Sequence, residues 1–344
     1  MSGKKLFYIT AILAVAVLGI ILGEKLTNSS PSGKSQMFFP GVTEKDISAV
    51  IIKDNTGSVK IRRKGDIWVV SSAPESDVKS DSPVAQDQAS DETAAIEEYA
   101  ADSASVAAIL EKLTSMKKDE LISENPAKQT IFEVDSNSGV FIDVLDANGT
   151  PKGSFLIGKN GPDWSSNYVR MIGSNSVYMV KGSIKYSFFT DQKRWRDKSI
   201  VKFDKASVSK ISLKRKDGVS VTLAKKDTSW SIEEPFSSPA KKDQIDELLN
   251  SLSQLKATDF EGSSSSDSAL GLLNPELYTD ITFSNGTSRK VIFGAKDSQD
   301  RYRVKAEGKD VVFLVNEYEF NKINKDASSL KEEIKADSAA VSQK

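Results

Sequence analysis

The strongest constraint on the fold is that the chain repeats one arrangement of elements, which indicates two similar units. Two segments carry apolar residues at the spacing i, i+3, i+4, i+7, i+10, the pattern of an amphipathic helix that buries one face. The apolar positions are Val106, Ile109, Leu110, Leu113 and Met116 in the first segment and Ile245, Leu248, Leu249, Leu252 and Leu255 in the second. The shared spacing predicts two equivalent helices. Ser238-Pro239 predicts a cap and a first-turn proline for the second helix.

Strand signals surround both helices in the same order. A strand pair that contains one tryptophan precedes each helix, and an Asn-Gly hairpin turn followed by paired strands comes after it. These segments are 58–70, 148–149 and 167–180 in the first copy and 219–234, 285–286 and 301–315 in the second. The sequence therefore predicts an α+β fold, in which an N-terminal transmembrane helix precedes two repeated, mainly antiparallel β units, each with one packed amphipathic helix.

The first copy contains an acidic insert. Trp68 and Trp230 are 162 positions apart, whereas the two helices are 139 apart, so about 23 residues are extra in the first copy. The segment 73–103 has nine acidic residues and one lysine, a composition that predicts disorder over about 74–103. The predicted domain boundaries are 1–25 for an anchor, 26–42 for a linker, 43–198 for the first unit, 199–330 for the second unit and 331–344 for a polar tail.

The N-terminus carries a membrane signal. The run from Leu6 to Leu22 is mostly apolar and, as a helix, spans roughly 25 Å, which is close to the thickness of a bilayer core. Lys4 and Lys5 precede it and favour a cytoplasmic N-terminus. We expect an uncleaved, single-pass anchor in the inner membrane, with the rest of the chain in the periplasm. A cleaved signal peptide is the alternative.

The composition excludes several kinds of chemistry. The chain has no histidine and no cysteine, so the commonest general base and the commonest transition-metal ligands are missing. A net charge of −1 gives no indication of nucleic acid as a partner. The sequence therefore predicts no enzyme, and it offers no catalytic, cofactor-binding or metal-ligating residues.

One short stretch resembles a nucleotide-binding loop. The segment "GSFLIGKN", residues 153–160, matches G-x-x-x-x-G-K, but Asn160 stands where a P-loop has the Ser or Thr that holds magnesium. The second copy has Ala295 at the position that corresponds to Lys159. Because apolar residues fill the centre of the stretch, we interpret it as a β-strand that ends at Gly158.

A basic cluster surrounds Trp195, in "QKRWRDKSIVKF" between the two copies. Two interpretations are open. In the first, the cluster contacts lipid or a partner; in the second, Trp195 is buried at the junction of the two units. The sequence favours the junction, because long basic side chains commonly lie along such a ring.

Several short motifs occur together in this chain. They are "LIG" (156–158), "NYVR" (167–170), "VYMV" (177–180), "WRDK" (195–198), "LGLLNP" (270–275) and "IFG" (292–294). With the N-terminal anchor, they resemble a bacterial family catalogued as domain of unknown function 4340, over roughly residues 40–330. The resemblance carries over no catalytic residues. It implies an accessory protein of the envelope that is associated with ABC-type transport components.

Two functional classes follow from these observations. We expect a non-enzymatic, membrane-anchored accessory or scaffolding protein that contacts the membrane through Leu6 to Leu22 and binds a membrane or envelope protein. The alternative is an envelope hydrolase or ligand-binding protein with a carboxylate site between the two repeats.

Overall fold

The computed structural model describes residues 36–73, 97–262 and 265–333. The chain divides into two compact units, Met1–Arg196 and Asp197–Lys344. The predicted anchor and most of the predicted linker lie outside the described residues. Within the described part of the chain, no helix is both long enough and apolar enough to cross a membrane.

The first unit is built on a nine-stranded antiparallel sheet with the order β5-β4-β3-β2-β8-β9-β10-β11-β7. Two further short strands, β1 and β6, pair with each other. The strands are β1 (Gln36–Met37), β2 (Ala49–Lys53), β3 (Ser58–Lys64), β4 (Ile67–Ser72), β5 (Tyr99–Ala100), β6 (Lys117–Lys118), β7 (Glu120–Ser123), β8 (Val140–Leu145), β9 (Pro151–Asn160), β10 (Ser166–Met171) and β11 (Val177–Lys181). The helices are α1 (Ser103–Ser115) and α2 (Gln192–Trp195).

The second unit has a nine-stranded antiparallel sheet with the order β15-β14-β13-β12-β17-β18-β19-β20-β16. The strands are β12 (Val208–Arg215), β13 (Ser220–Lys226), β14 (Ser229–Glu234), β15 (Ser238–Pro239), β16 (Asp259–Phe260), β17 (Leu277–Phe283), β18 (Ser288–Lys296), β19 (Tyr302–Ala306) and β20 (Phe313–Val315). The helices are α3 (Lys242–Ser253), α4 (Glu317–Ile323) and α5 (Ala327–Leu330). Each strand takes the place of its counterpart in the first sheet, so the two units share one topology. The fold is mostly β, with two large antiparallel sheets.

Each long helix packs its predicted apolar stripe into the core of its own unit. Val106, Ile109, Leu110 and Leu113 of α1 are buried, as are their counterparts Ile245, Leu248, Leu249 and Leu252 of α3. The prediction for the start of α3 is wrong. Ser238-Pro239 pairs with β14 as the short strand β15, and the N-cap is Lys241. Strand pairing holds the chain extended there, so the helix begins later.

The predicted disorder is wrong for residues 97–103. Residues 74–96 lie outside the described part of the chain, but Tyr99–Ala100 forms β5 against β4, and the Asp102 side chain caps α1 by accepting from Ser105 N at 2.7 Å. Glu98 also accepts a hydrogen bond from Lys64 Nζ at 2.9 Å. Main-chain pairing and this ion pair place residues 97–103 in the folded unit despite their acidic composition.

Trp195 closes the core of the first unit. It is 1% exposed, its Nε1 donates to Phe189 O at 2.9 Å, and its carbonyl accepts from Asp102 N at 2.7 Å. Leu330 is the counterpart in the second unit, where its carbonyl accepts from Lys241 N at 2.7 Å. The lipid-contact interpretation is wrong for Trp195, since the ring is buried one residue before the unit boundary.

The shared topology predicts that the two helix stripes have equal structural importance. We expect Leu110→Ala and Leu249→Ala each to lower the free energy of unfolding by about 2–5 kcal/mol, the range for a truncated buried leucine that leaves a cavity. Chemical denaturation of the two variants measures the effect, with the exposed Glu111→Ala as the control. A silent change at one leucine and a severe change at the other would show that the helices are not equivalent.

Candidate functional site

The stretch "GSFLIGKN" lies within β9, which spans Pro151–Asn160. Phe155, Leu156 and Ile157 are buried, as expected for a strand in the interior of the sheet. The prediction of a strand is confirmed, but the strand continues for two residues past Gly158. Lys159 N donates to Phe132 O at 3.1 Å, so this N–H is not free to cradle a phosphate.

Gly158 is needed because another segment crosses the strand at this point. A Cβ atom added there would lie 2.1 Å from Phe132 O. Its counterpart Gly294 is crossed in the same way, with a Cβ position 2.5 Å from Leu270 O, and Ala295 N donates to that carbonyl at 3.0 Å. The two units therefore share one crossing, formed at 132–133 in the first and at 270–271 in the second.

We expect Gly158→Ala and Gly294→Ala to destabilise their units by about 1–3 kcal/mol or more, because the added methyl group overlaps a backbone carbonyl. Gly57→Ala is the control, since its added Cβ would meet only Thr190 O, at 3.9 Å. Thermal unfolding measures all three. Wild-type stability in Gly158→Ala would rule out the close crossing.

An open groove of about 620 Å³ lies beside this crossing, entirely within the first unit. We name it the aromatic groove. The side chains that give it its character are Glu133, Lys159, Asn160, Trp164, Lys185 and Tyr186. Trp164 and Tyr186 are 77% and 65% exposed, so two aromatic rings face solvent at this site.

Trp164 is held in an unusual backbone conformation. Its φ is 58°, a left-handed value that bulky residues rarely adopt. Hydrogen bonds fix the surrounding loop: the Asp163 carboxylate accepts from Ser166 Oγ at 2.6 Å and from Ser165 Oγ at 2.8 Å, and Ser183 Oγ donates to Trp164 O at 3.2 Å. The Ser166 hydroxyl is also the main cause of the lowered pKa of Asp163. The loop therefore presents the exposed ring from a rigid base.

The second unit has the same turn with an ordinary residue in it. Asp300 N donates to Asp297 O at 3.2 Å, as Trp164 N does to Gly161 O at 3.1 Å, and the φ of Asp300 is 59°. Aspartate adopts this conformation readily, whereas tryptophan does not. The first unit therefore carries backbone strain to place an indole ring where its counterpart has a carboxylate.

Glu133, at the crossing, is a second residue whose left-handed position holds a better-suited residue in the second unit. Its φ is 56°, and it stands where the second unit has Gly271 with a φ of 72°. A left-handed conformation costs a non-glycine residue roughly 1–2 kcal/mol. Two strained residues, Glu133 and Trp164, therefore line one groove, and residues that suit the conformation replace both in the second unit. Strain that is concentrated in this way is a feature of functional sites.

The groove is open because the first unit lacks a helix that fills this place in the second. There, Phe320 of α4 stacks on Tyr302 with ring centroids 3.8 Å apart, and Glu317 accepts from Lys296 Nζ at 2.8 Å. Tyr302 and Lys296 pair across their strands, as Asn167 and Asn160 do in the first unit.

The first unit has a short 3-10 turn, Ile184–Ser187, where the second has α4. Asn167 Nδ2 donates to Asn160 Oδ1 at 2.8 Å, and Asn160 Nδ2 donates to the Tyr186 hydroxyl at 3.1 Å. Polar amides and a phenol therefore line the space that aromatic stacking and an ion pair occupy in the second unit.

The carboxylates of the groove already have structural partners. Partial burial alone would raise the pKa of Asp54, but hydrogen bonds from Thr56, Thr190 and Gly57 lower it overall. The Asp191 side chain caps α2 by accepting from Lys193 N at 2.9 Å.

Glu133 lies 3.8 Å from Lys185 Nζ. By contrast, the Lys159 ammonium group makes no hydrogen bond or ion pair with any residue that the structure describes. Within the described part of the chain, the site therefore offers the unengaged ammonium group of Lys159 beside acids that are already bonded.

A second depression, of about 460 Å³, lies on β12 and β17 of the second unit. It is lined by the polar side of both strands, including Lys210, Ser212 and Asp280, and Lys210 pairs with Glu233 at 3.0 Å. Alternation along an antiparallel strand explains such a face without any ligand. Among the described residues, no group of acidic side chains is placed to hold a metal ion. The aromatic groove is the stronger candidate.

Sequence patterns do not identify this site. Lys159 and Asn160 stand out only as parts of a P-loop pattern, and no pattern marks Tyr186 or Glu133. One sequence signal could have indicated the site. Trp164 directly follows Gly-Pro-Asp, a typical turn sequence, and turns favour small or polar residues over a large aromatic one.

The described part of the chain consists of two antiparallel β units of one topology, and the first unit carries an open groove. The profile of DUF4340, described as a domain of unknown function, matches residues 92–275, and the chain belongs to this family. The match begins before α1 and ends before β17, so it covers parts of both units. Neither curated proteins nor solved structures gave a match to the chain.

The strain at Trp164 predicts a substitution that stabilises the fold. We expect Trp164→Gly to raise the stability of the first unit by about 0.5–1 kcal/mol, because glycine adopts a φ of 58° without steric cost and the exposed ring packs little. The unfolding midpoint should rise by about 1–3 °C. Asp300→Gly is the matched control and should change stability less. A large loss of stability in Trp164→Gly would show that the ring is structural.

Proposed function

We propose that this chain is a non-enzymatic, membrane-anchored accessory or scaffolding protein that works outside the cytoplasm beside an ABC-type transport system. The observation that carries the binding part of the proposal is the aromatic groove, in which a fixed loop holds an exposed tryptophan at the cost of backbone strain. Such a side chain contributes nothing evident to packing, so a role in recognition accounts for it best.

The groove favours binding over hydrolysis. A carboxylate pair that cleaves a substrate needs one acid with a raised pKa to donate a proton. The pKa of Asp54 is lowered instead, and Asp191 caps a helix. This arrangement supports a non-enzymatic site. The alternative function is a hydrolase or ligand-binding protein. It also requires a ligand, but its site would lie between the repeats and not in the aromatic groove.

The membrane part of the proposal is supported by the sequence. The apolar run from Leu6 to Leu22 is long enough for a bilayer core and follows two lysines. The association with a transport system is supported by the resemblance of the chain to accessory proteins of its family. Anchoring close to a transporter would place the groove where it could hold cargo or an envelope partner.

Fusions at the C-terminus test the proposed topology. We expect an alkaline phosphatase fusion to be active and a green fluorescent protein fusion to be dark, because the bulk of the chain crosses to the oxidising side of the membrane. A variant without residues 1–25 should reverse both readings. Strong fluorescence from the full-length fusion would place the units in the cytoplasm and contradict the proposal.

A further inference from the structure

We propose that the aromatic groove binds an acidic glycan, a chain of pyranose rings that carries carboxylate groups. This inference rests on the proposed function of the first unit as a binding module and names the chemistry of its ligand. It follows from three properties of the groove: its exposed rings, its available hydrogen-bond donors and the Lys159 ammonium group, which no described residue pairs with.

The exposed rings suit the faces of sugars. A pyranose ring has a face of C–H groups that carry slight positive charge, and the face of an aromatic ring is negative. Trp164 and Tyr186 are both on the groove and mostly exposed, and hydrogen bonds fix the backbone of the 163–165 turn that carries the indole. A lipid chain would leave unpaired the six charged side chains that line the groove with these rings, three acidic and three basic.

The donors suit the hydroxyl groups of sugars. Because Tyr186 Oη accepts a hydrogen bond from Asn160 Nδ2, its own proton is available to a ligand. Asn167, which is fully buried, orients the Asn160 amide from behind through a 2.8 Å hydrogen bond. The polar groups are therefore held in position before a ligand arrives, which lowers the entropic cost of binding.

The charge pattern favours an acidic ligand. Among the described residues that line the groove, Lys185 lies beside Glu133 and the Arg194 guanidinium stacks on Phe189 at 3.3 Å, while Lys159 has no such partner. An isolated ammonium group can pair with a ligand carboxylate. The lining as a whole has equal numbers of basic and acidic side chains, so it does not suit a polyphosphate or a nucleic acid.

The size and the duplication agree with this assignment. A volume of about 620 Å³ is within the range of small-ligand sites and accommodates a short stretch of glycan. The second unit has Asp300, Gly271 and Ala295 where the first has Trp164, Glu133 and Lys159, so it provides an internal control without the site.

Titration of the full-length, detergent-solubilised protein tests the proposal. The probes are three acidic tetrasaccharides, made of galacturonate, of mannuronate, and of alternating N-acetylglucosamine and N-acetylmuramic acid. Neutral chitotetraose and a Glu-rich peptide are the comparison ligands. Binding is followed by calorimetry and by tryptophan emission, since Trp164 is the exposed one of the four tryptophans.

We expect at least one acidic tetrasaccharide to bind and to shift the emission to shorter wavelength. Trp164→Gly should weaken this binding at least tenfold while the unfolding midpoint stays the same or rises, which separates loss of the site from loss of the fold. Lys159→Ala should weaken the acidic ligand about fivefold or more and leave chitotetraose unaffected. Asp300→Gly, in the second unit, should bind as the wild type does.

The proposal is overturned if none of the acidic tetrasaccharides binds at millimolar concentration, or if Trp164→Gly binds them like the wild type. Binding of the Glu-rich peptide alone, lost in Trp164→Gly, would assign the groove to an acidic protein partner instead. Cleavage of a bound tetrasaccharide, detected by mass, would leave the glycan site in place and refute the non-enzymatic function, so the two failures are distinguishable.

Discussion

The architecture depends on strand pairing between segments that are far apart in the chain. β2 pairs with β8 through residues such as Ile51 and Asp143, and β12 pairs with β17 through Ile211 and Ile281. These two pairings join the early hairpins of each unit to the later ones across the helix, and they close a nine-stranded sheet. Because loop closure must come before such contacts form, the sheets gain their stability only as complete units. The helix stripes then have a surface on which to pack.

This pairing also positions the groove. β9 pairs with β8 and β10 pairs with β9, so the hairpin that carries Trp164 projects from the same part of the sheet as the crossing segment at Glu133. The turn that carries Tyr186 is attached there through the amide pair of Asn160 and Asn167. A site assembled in this way is rigid, because each of its loops is tied to the sheet by backbone or side-chain hydrogen bonds.

Duplication makes the strain in the first unit interpretable. A left-handed residue in a single unit could reflect nothing more than a tolerated turn. Here the same turn and the same crossing occur twice, with Asp300 and Gly271 in one unit and Trp164 and Glu133 in the other. The backbone therefore requires the left-handed conformation, but it does not require the bulky side chains. Natural proteins retain strain of this kind where activity depends on it, and they gain stability when it is relieved.

Periodicity along the sequence determined the parts of this fold that are local. The spacing around Leu110 and Leu249 identifies both helices and their buried faces, and the Asn-Gly turns identify the hairpins that follow. Sequence patterns did not reveal the central strand β2, because four of its five residues are buried and no alternation marks it. They also predicted disorder for residues 97–103, which are folded, since composition does not register the pairing of β5 with β4. Only the tertiary structure decided the aromatic groove. Its residues are distant in sequence and meet through the sheet, and the strain at Trp164 is a backbone angle that no residue pattern encodes.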